Sequence, residues 1–228
     1  MTGTQRMVIA IDGPAASGKS STAQWVAEEL GYRHVDSGSL YRALTAVLLR
    51  NGAPPERWTP ALIVSQGERI SLRAGRTAFS ALIDGVPVDE ELRSGLVTSH
   101  VSIVAQVPDA RRWVNARVRE AALEHDVVVD GRDMGTAVFP DAPLKVFLVA
   151  DPWERARRRL TQRLGRRPND EEIASETDLI VQRDAKDATQ TVQAKDAVLL
   201  DTTYLTQAEQ VERIVALARA VSQRAGDS

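Results

Sequence analysis

The sequence contains no cysteine, and its three histidines, His34, His100 and His125, are scattered along the chain. Without cysteine the chain forms no disulfide and offers no thiolate to a metal ion. The histidines have no metal-ligand spacing, so we interpret them as structural or surface residues. These absences favour a cytoplasmic location.

Long apolar runs and a strong net charge are also missing. No stretch approaches the length of a membrane span, and a net charge of −2 argues against a general binder of polyanions. We therefore expect neither a membrane nor a nucleic-acid partner. The 228 residues, 43% of them hydrophobic, fit a single α/β domain with modest insertions.

The clearest motif is Gly13-Pro14-Ala15-Ala16-Ser17-Gly18-Lys19-Ser20, which fits the phosphate-binding pattern G-x-x-x-x-G-K-[ST]. An apolar, strand-like run precedes it, and a helix-prone run follows it over residues 22–30. In such a loop backbone N–H groups and a helix N-terminus face phosphate oxygens. Lys19 is placed to reach the β- and γ-phosphates, and the Ser20 hydroxyl is a direct Mg²⁺ ligand. The simpler alternative is an ordinary glycine turn.

Apolar runs and helical patterns alternate along the chain, which predicts a doubly wound parallel sheet covered on both faces. The five predicted strands are residues 7–12, 34–36, 127–130, 144–149 and 198–201. The predicted helices that follow the first one are residues 40–51, 109–124, 169–186 and 206–224.

One segment interrupts this alternation. Residues 69–88 contain two β-like runs with turn signals at residues 74–76 and at Asp84-Gly85, which predicts a small antiparallel addition to the core. We therefore expect one domain over residues 1–228, with an insert at about 60–108 and a short arginine-rich lid at about 155–170.

The ends of the second and third predicted strands carry polar residues. In an open α/β sheet ligands bind beyond the carboxyl ends of strands, so Asp36 and Ser37 should lie close to the phosphate loop, with Arg42 one helical turn beyond Ser39. The simpler interpretation of this segment is a serine-capped turn followed by a solvated arginine.

The third strand ends in Asp130-Gly131-Arg132-Asp133. An aspartate after a hydrophobic strand is typical of the carboxylate that supports the Mg²⁺ shell, so Asp130, together with Asp36, is a candidate for the outer shell. Arg132 can bind a phosphate bidentately, and Asp133 can accept a hydrogen bond from an exocyclic amino group such as N4 of cytosine. The alternative is a local ion pair at the end of the strand.

A basic run follows the fourth strand. Such a run is by default a solvated helix face, and no interleaved aromatic residues support nucleic-acid binding. In a phosphotransferase it would form a closing lid. The run comprises Arg155, Arg157, Arg158, Arg159, Arg163, Arg166 and Arg167.

Five segments together resemble the bacterial cytidylate kinases, a family of P-loop nucleoside monophosphate kinases. They are IDGPAASGKSS, VDSGSLYR, VDGRDMGTAVFPDAPLKVFL, QRDAKD and AVLLDTT, in the order and at the spacing of that family. The resemblance covers most of the chain, and its most specific part is the DGRDMGT-x-VFPDAP block. It implies transfer of the γ-phosphoryl group of ATP to CMP or dCMP. We expect a monomer, because nothing in the sequence demands a dimer.

The resemblance also implies roles for individual residues. It extends the ATP site to Gly13, Pro14, Ala15, Ala16, Ser17, Gly18, Lys19, Ser20 and Ser21. It places Arg42 and Arg132 on the monophosphate, Ser37, Arg111 and Asp133 at the cytosine, and Ser102, Arg183 and Asp187 near the sugar. The residues expected to act on the transferring group are Lys19, Arg42 and Arg132.

At one position the chain departs from the family pattern. The family usually has an arginine three residues after the position of Asp187, whereas this chain has Gln190. This difference puts the third phosphate-binding arginine in question, and Lys186 or a lid arginine is the alternative.

Two other functions remain open from the residues alone. A P-loop kinase acting on a hydroxyl needs a general base, and Asp36 or Asp133 would supply it. A nucleotide-dependent switch is the other alternative, but the N-K-x-D signature of guanine specificity is missing near Lys195-Asp196. Fold alone does not decide among these three.

Overall fold

A computed structural model describes residues 6–226 of the chain. These residues form two sheets, a five-stranded parallel sheet and a three-stranded antiparallel sheet. The strands are β1 (Val8–Asp12), β2 (Arg33–Asp36), β3 (Ile70–Ala74), β4 (Phe79–Ile83), β5 (Val86–Pro87), β6 (Val127–Asp130), β7 (Leu144–Val149) and β8 (Val198–Asp201).

Helices connect and cover the strands. They are α1 (Lys19–Leu30), α2 (Ser37–Arg50), α3 (Pro60–Ser65), α4 (Asp89–Leu92), α5 (Gly95–Ala105), α6 (Pro108–Ala121), α7 (Pro152–Leu164), α8 (Asp170–Asp187) and α9 (Gln207–Gly226). No helix within residues 6–226 combines the length and the apolar character needed to cross a membrane.

The main sheet has the order β2-β6-β1-β7-β8, and all its pairs are parallel. This confirms the predicted five-stranded α/β fold. The first strand is central, and connections leave it toward both edges, so a crevice opens beside its carboxyl end. The phosphate loop and the polar ends of β2 and β6 meet at this crevice.

The three central strands, β1, β6 and β7, are buried on both faces, which explains their largely apolar sequences. Successive residues of β1 point to opposite sides: Val8 and Ala10 pack in the cluster with α2 and α6, whereas Ile9 and Ile11 pack in the cluster with α1 and α9. A fully buried side chain of this size contributes about 1.5–3 kcal/mol. The central strand, whose carboxyl end borders the crevice, is thus held between two hydrophobic clusters, one on each face of the sheet.

The second helix of the sequence starts earlier than predicted. α2 begins at Ser37 instead of Leu40, because the Asp36 side chain caps it by accepting a hydrogen bond from the Ser39 N–H at 3.2 Å. A carboxylate at the N-cap satisfies one of the free N–H groups of the first turn. This start brings Ser37 and Arg42 onto the cleft side of the first two turns.

The antiparallel sheet β3-β4-β5 lies within the predicted insert. A two-residue turn joins β4 to β5, and both of its residues have positive φ, 53° at Asp84 and 80° at Gly85. An Asp-Gly pair in this conformation matches the twist of a hairpin. The turn signal in the sequence is therefore confirmed.

The helices α7 and α8 form a hairpin with a small core of its own, made by Ala156, Leu160, Ile173 and Ile180. The side chain of Ala16, from the phosphate loop, packs against this core. The α7–α8 hairpin is therefore seated directly on the loop.

Candidate active site

One cleft of about 1480 Å³ brings together most of the predicted site residues. Its walls include Ala15, Ala16, Ser17, Gly18, Lys19, Ser20, Ser21, Asp36, Ser37, Arg42, Ser102, Arg111, Asp130, Arg132, Asp133, Arg183 and Asp187. We call the part around Lys19 the loop end and the part around Arg132 the arginine end. Gly13 and Pro14 do not line the cleft.

Gly13 instead lets the loop pass close to β7. It has φ +148°, and a Cβ at this position would lie 2.2 Å from the backbone oxygen of Leu148. Only glycine fits such an approach, so a side chain here would displace the loop from the sheet.

Lys19 lies at the first position of α1 with only 5% of its surface exposed. Its Nζ donates to the backbone oxygen of Pro14 at 2.6 Å and to Ser17 Oγ at 3.3 Å. Burial, followed by the charge of Arg132, lowers the pKa of Lys19 well below its usual range. A cation that is desolvated in this way gains strongly from an anion placed beside it.

The α7–α8 hairpin braces the phosphate loop through a charged pair. The Ala15 N–H donates to Asp184 Oδ1 at 2.9 Å, and Arg155 Nη1 donates to Asp184 Oδ2 at 2.6 Å and to the Ala15 oxygen at 2.7 Å. Arg155 is buried and does not line the cleft. Arg155 therefore supports the phosphate loop and is not one of the lid arginines that the basic run predicts. Asp184 is not among the predicted site residues, although it adjoins Arg183 in QRDAKD.

Other arginines of the basic run have separate tasks. Arg158 Nη2 donates to the backbone oxygens of Thr202 and Thr203 at 2.5 and 2.8 Å, which ties α7 to the loop after β8. Arg159 and Arg163 pair with the buried Glu176 on α8. The arginines of the run that line the cleft are Arg157, Arg158, Arg159 and Arg163. The solvated-face interpretation therefore holds only for part of the run.

A chain of hydrogen bonds links Ser20 to a buried histidine. Ser20 Oγ donates to Asp130 Oδ2 at 2.7 Å, and Asp130 Oδ1 lies 2.7 Å from His34 Nε2. Burial raises the pKa of Asp130, but the hydrogen bond and charge of His34 lower it, and the net shift is downward. Burial lowers the pKa of His34, but the hydrogen bond and charge of Asp130, together with the charge of Asp36, outweigh burial, and the net shift is upward. His34 is structural, as predicted, yet it belongs to the site.

The oxygen atoms near Ser20 fit a hard cation that takes most of its ligands from phosphate and water. Ser20 donates its hydroxyl hydrogen bond to Asp130, so its oxygen lone pairs remain for a cation. Burial and the charge of Asp130 raise the pKa of Asp36. Among the described residues no group of three or more His, Cys, Asp and Glu side chains forms a metal cage. Mg²⁺ in phosphate-binding sites needs no such cage.

Three arginines from three elements converge at the arginine end. Arg132 Nε lies 3.4 Å and Arg183 Nε 3.9 Å from Asp187 Oδ2, while Arg42 donates to Thr98 Oγ1 at 2.9 Å. Burial and the charge of Arg132 lower the pKa of Arg183 to about 10. The two nearby carboxylates, Asp187 beside Arg132 and Arg183 and Asp36 near Arg42, do not neutralise three guanidinium groups, so the cluster favours a further anion. Lys186 is exposed and does not line the cleft.

The far wall of the arginine end is built around Arg111. Its Nη2 forms an ion pair with Asp133 Oδ2, its Nη1 donates to Gln190 Oε1 at 2.8 Å, and its guanidinium carbon lies 5.9 Å from the centre of the Tyr41 ring. Ser37 Oγ donates to the backbone oxygen of Asp130 at 2.7 Å. Only the family resemblance predicts Arg111 as a site residue, and its contacts with Tyr41 and Gln190 are evident only in the structure.

The buried hydroxyl of Tyr41 is a second indication that the cleft binds a polar ligand. Within the described part of the chain its buried hydroxyl has no hydrogen-bond partner, although the residue lines the cleft. A buried hydroxyl without a partner is costly, and a ligand oxygen or nitrogen in the cleft would satisfy it.

Asp12 holds the segment that carries Arg132 and Asp133. Its two oxygens accept the N–H groups of Met134 and Gly135 at 2.8 and 2.7 Å, at the start of the wide turn Met134–Val138. Burial raises the pKa of Asp12 from 3.8 to about 6, partly opposed by these two hydrogen bonds.

We expect Asp12 to make the stability of the protein depend on pH. Because its pKa is higher in the folded state, its contribution is full below pH 3.8 and is lost as pH rises through about 6. The difference between these values corresponds to about 3 kcal/mol. Relative to Asp12→Asn, the parent should therefore lose up to that amount between pH 4 and 7. Urea unfolding of both proteins at several pH values measures this, and parallel stability curves would contradict it.

Comparisons with known proteins agree with this geometry. A family model described as cytidylate kinase matches residues 9–220. A cytidylate kinase of Oceanobacillus iheyensis is 39% identical over 216 residues, which cover 92% of this chain and 93% of that protein. A cytidylate kinase of Limosilactobacillus reuteri is 38% identical over 210 residues, covering 90% and 92%. A gluconokinase structure from Sinorhizobium meliloti aligns with a TM-score of 0.51 at 19% identity over 98% of both chains, which shows the fold alone.

Proposed function

The chain belongs to the cytidylate kinase family, and from this membership we propose that it transfers the γ-phosphoryl group of ATP to CMP or dCMP. The products are ADP and CDP or dCDP. The observation that carries this proposal is a single cleft with a phosphate-binding loop at one end and a cluster of three arginines at the other. Two anions that repel each other can be bound end to end in such a cleft.

The reaction places few chemical demands on the protein. The bond between the γ-phosphorus and the bridging oxygen breaks, while an oxygen of the acceptor phosphate forms a new bond to the same phosphorus. That oxygen is already anionic, so no general base is required. The protein must hold the two nucleotides in line and neutralise the charge that spreads over the transferring group.

The residues of the cleft divide this work. The loop of residues 13–21 binds the ATP phosphates, and Lys19 stabilises the charge on the transferring group. Arg42 and Arg132 bind the acceptor phosphate, while Arg183 and Asp187 bind the sugar with Ser102. Arg159 and Arg163, on the α7–α8 hairpin, line the cleft and would act as the lid arginines that contact the transferring group.

Magnesium is expected with ATP. When bound, Mg²⁺ would supply positive charge that neutralises part of the charge on the ATP phosphates. Ser20 would be its protein ligand. Asp130, oriented by His34, would accept the hydrogen bond of the Ser20 hydroxyl and, together with Asp36, support the outer coordination shell. We also propose that the enzyme acts as a monomer in the cytoplasm.

We expect the enzyme to prefer CMP over UMP because of Asp133. Cytosine carries an amino donor at the position where uracil carries a carbonyl acceptor. A carboxylate accepts from the first and repels the second. In Asp133→Asn the amide can also donate to uracil, so the ratio of kcat/KM for CMP to that for UMP should fall about tenfold, consistent with about 1–3 kcal/mol for a base contact.

The control for this substitution is Asp141→Asn, which changes an exposed aspartate outside the cleft. Steady-state kinetics with both nucleotides at saturating ATP measures the ratio for the parent and both variants. A parent enzyme that uses CMP and UMP equally well would remove the role assigned to Asp133.

The function itself is tested by ADP release in the presence of CMP, dCMP, UMP or AMP, measured side by side. We expect rapid release with CMP and dCMP. ATP turnover that does not depend on any monophosphate would favour a nucleotide-dependent switch. Turnover only with a hydroxyl-bearing metabolite would favour a small-molecule kinase.

A further inference from the structure

Gln190 connects the two sides of the arginine end. It follows α8, where its N–H donates to the backbone oxygen of Asp187 at 2.9 Å. Its side-chain Oε1 accepts from Arg111 Nη1, on α6, at 2.8 Å. The segment that follows Asp187 at the end of α8 is therefore hydrogen-bonded to Arg111, which lies on the other side of the cleft. Gln190 itself lines the cleft.

The position of Arg111 depends on few partners. Apart from Gln190, its guanidinium contacts the Ala105 oxygen at 3.3 Å, the Tyr41 ring and Asp133. The bond to Gln190 is clearly shorter than the bond to Ala105. Without it, Nη1 would keep only the longer contact, and the guanidinium plane would be free to rotate about its remaining partners.

The orientation of Arg111 matters because it fixes Asp133. Arg111 Nη2 pairs with Oδ2 of this carboxylate. This ion pair determines the rotation of the carboxylate. It thereby sets the direction from which the other oxygen, Oδ1, can accept a hydrogen bond. The amide oxygen of Gln190 accepts from Nη1, on the opposite side of Arg111, and so supports the orientation in which Nη2 meets Asp133. The arginine usual in the family at this position has no acceptor atom and would supply none.

We propose that Gln190 is a positioning residue that holds Arg111 against Asp133 and thereby sets the preference of this enzyme for a cytosine over a uracil base. The inference rests on the proposed function. It assigns to Gln190 a role in base discrimination that is separate from phosphate binding. The effect depends on the acceptor oxygen of the Gln190 amide, and the size and shape of the side chain matter less.

Two substitutions at this position separate the acceptor oxygen from the shape. Gln190→Met keeps the length of the side chain and removes the acceptor, while Gln190→Glu keeps an oxygen for Arg111. Gln193→Met is the matched control, because Gln193 is exposed and does not line the cleft. For each protein kcat and KM are measured with CMP and with UMP, together with the KM for ATP and the melting temperature.

In Gln190→Met we expect the ratio of kcat/KM for CMP to that for UMP to fall about tenfold, in line with the loss of a hydrogen bond to a charged group. The KM for ATP and the melting temperature should stay at the parent values, since Gln190 is partly exposed and its hydrogen bonds go to Arg111 and Asp187. Gln190→Glu should keep the ratio within about twofold, even where its charge raises the KM for both monophosphates. Gln193→Met should behave as the parent.

Three results would overturn the inference. One is an unchanged ratio in Gln190→Met. Another is an equal loss of the ratio in the methionine and glutamate variants, which would assign the effect to shape. The third is a drop in melting temperature with equal losses for both nucleotides, which would make the role purely structural. A parent enzyme without turnover of CMP would instead overturn the proposed function and this inference with it.

Discussion

Replacing Lys19 with methionine is expected to lower kcat at least a hundredfold. Its ammonium is buried at the start of α1 and is held over the loop by the Pro14 oxygen at 2.6 Å. It is therefore placed in advance where charge develops on the transferring phosphoryl group. Removing one such donor from a preorganised site costs about 10²–10³ in kcat. The measurement is ADP release at saturating ATP and CMP.

The fold should tolerate this substitution. Burial already disfavours the charged form of Lys19, as the lowered pKa shows, so an apolar side chain of similar length removes a desolvated charge. We expect the free energy of unfolding of Lys19→Met to equal or exceed that of the parent. Lys186→Met, at an exposed lysine outside the cleft, is the control and should keep full activity. A kcat of Lys19→Met within threefold of the parent would refute the role.

Replacing Arg132 with alanine is expected to depress turnover nearly as strongly while the fold stays intact. Arg132 follows β6 directly and approaches Asp187 at 3.4 Å, in the cluster with Arg42 and Arg183. Its loss removes a guanidinium that can bind the acceptor phosphate through two N–H groups. We expect kcat/KM for CMP to fall by roughly two orders of magnitude, a loss of a few kcal/mol of transition-state stabilisation.

Two further variants separate charge from geometry at this position. Arg132→Lys keeps the charge but loses the planar fork, so it should recover only part of the activity. Arg112→Ala removes a positive charge from an exposed residue next to Arg111 that does not line the cleft, and it should leave the kinetics unchanged. If Arg132→Ala keeps the steady-state constants of the parent, Arg132 has no part in phosphate binding.

The fold was largely predictable from local patterns. Strands in the interior of a parallel sheet are largely apolar, so the five strands of the main sheet are evident in the sequence. A tight hairpin turn favours residues that tolerate positive φ, so the Asp84-Gly85 turn of the antiparallel sheet is evident as well. The early start of α2 was not predicted, because the capping role of Asp36 depends on the backbone direction at the end of β2. Where the surrounding residues show no periodic pattern, the sequence does not indicate where a helix begins.

The candidate site was predictable only where its residues are neighbours in the chain. The loop Gly13–Ser20 carries its chemistry in consecutive residues, and Asp130, Arg132 and Asp133 follow one strand. Arg111 was identified through a family resemblance, and without it would have been assigned to the surface. Gln190 was noticed as a departure from the family, yet its contact with Arg111, 79 positions away, came only from the structure.

By itself the sequence determined the parallel α/β architecture, the phosphate loop and the segments that border the cleft, because these follow from burial, turn chemistry and the order of a few adjacent residues. Only the tertiary structure decided which side chains support them: Asp184 on Ala15, Asp12 on Met134 and His34 on Asp130 join positions 169, 122 and 96 residues apart. Parallel strands require long crossover connections, so partners at the crevice come from distant parts of the chain. No local pattern of polarity can specify such pairs, since the same aspartate or histidine in an exposed turn would look identical in sequence.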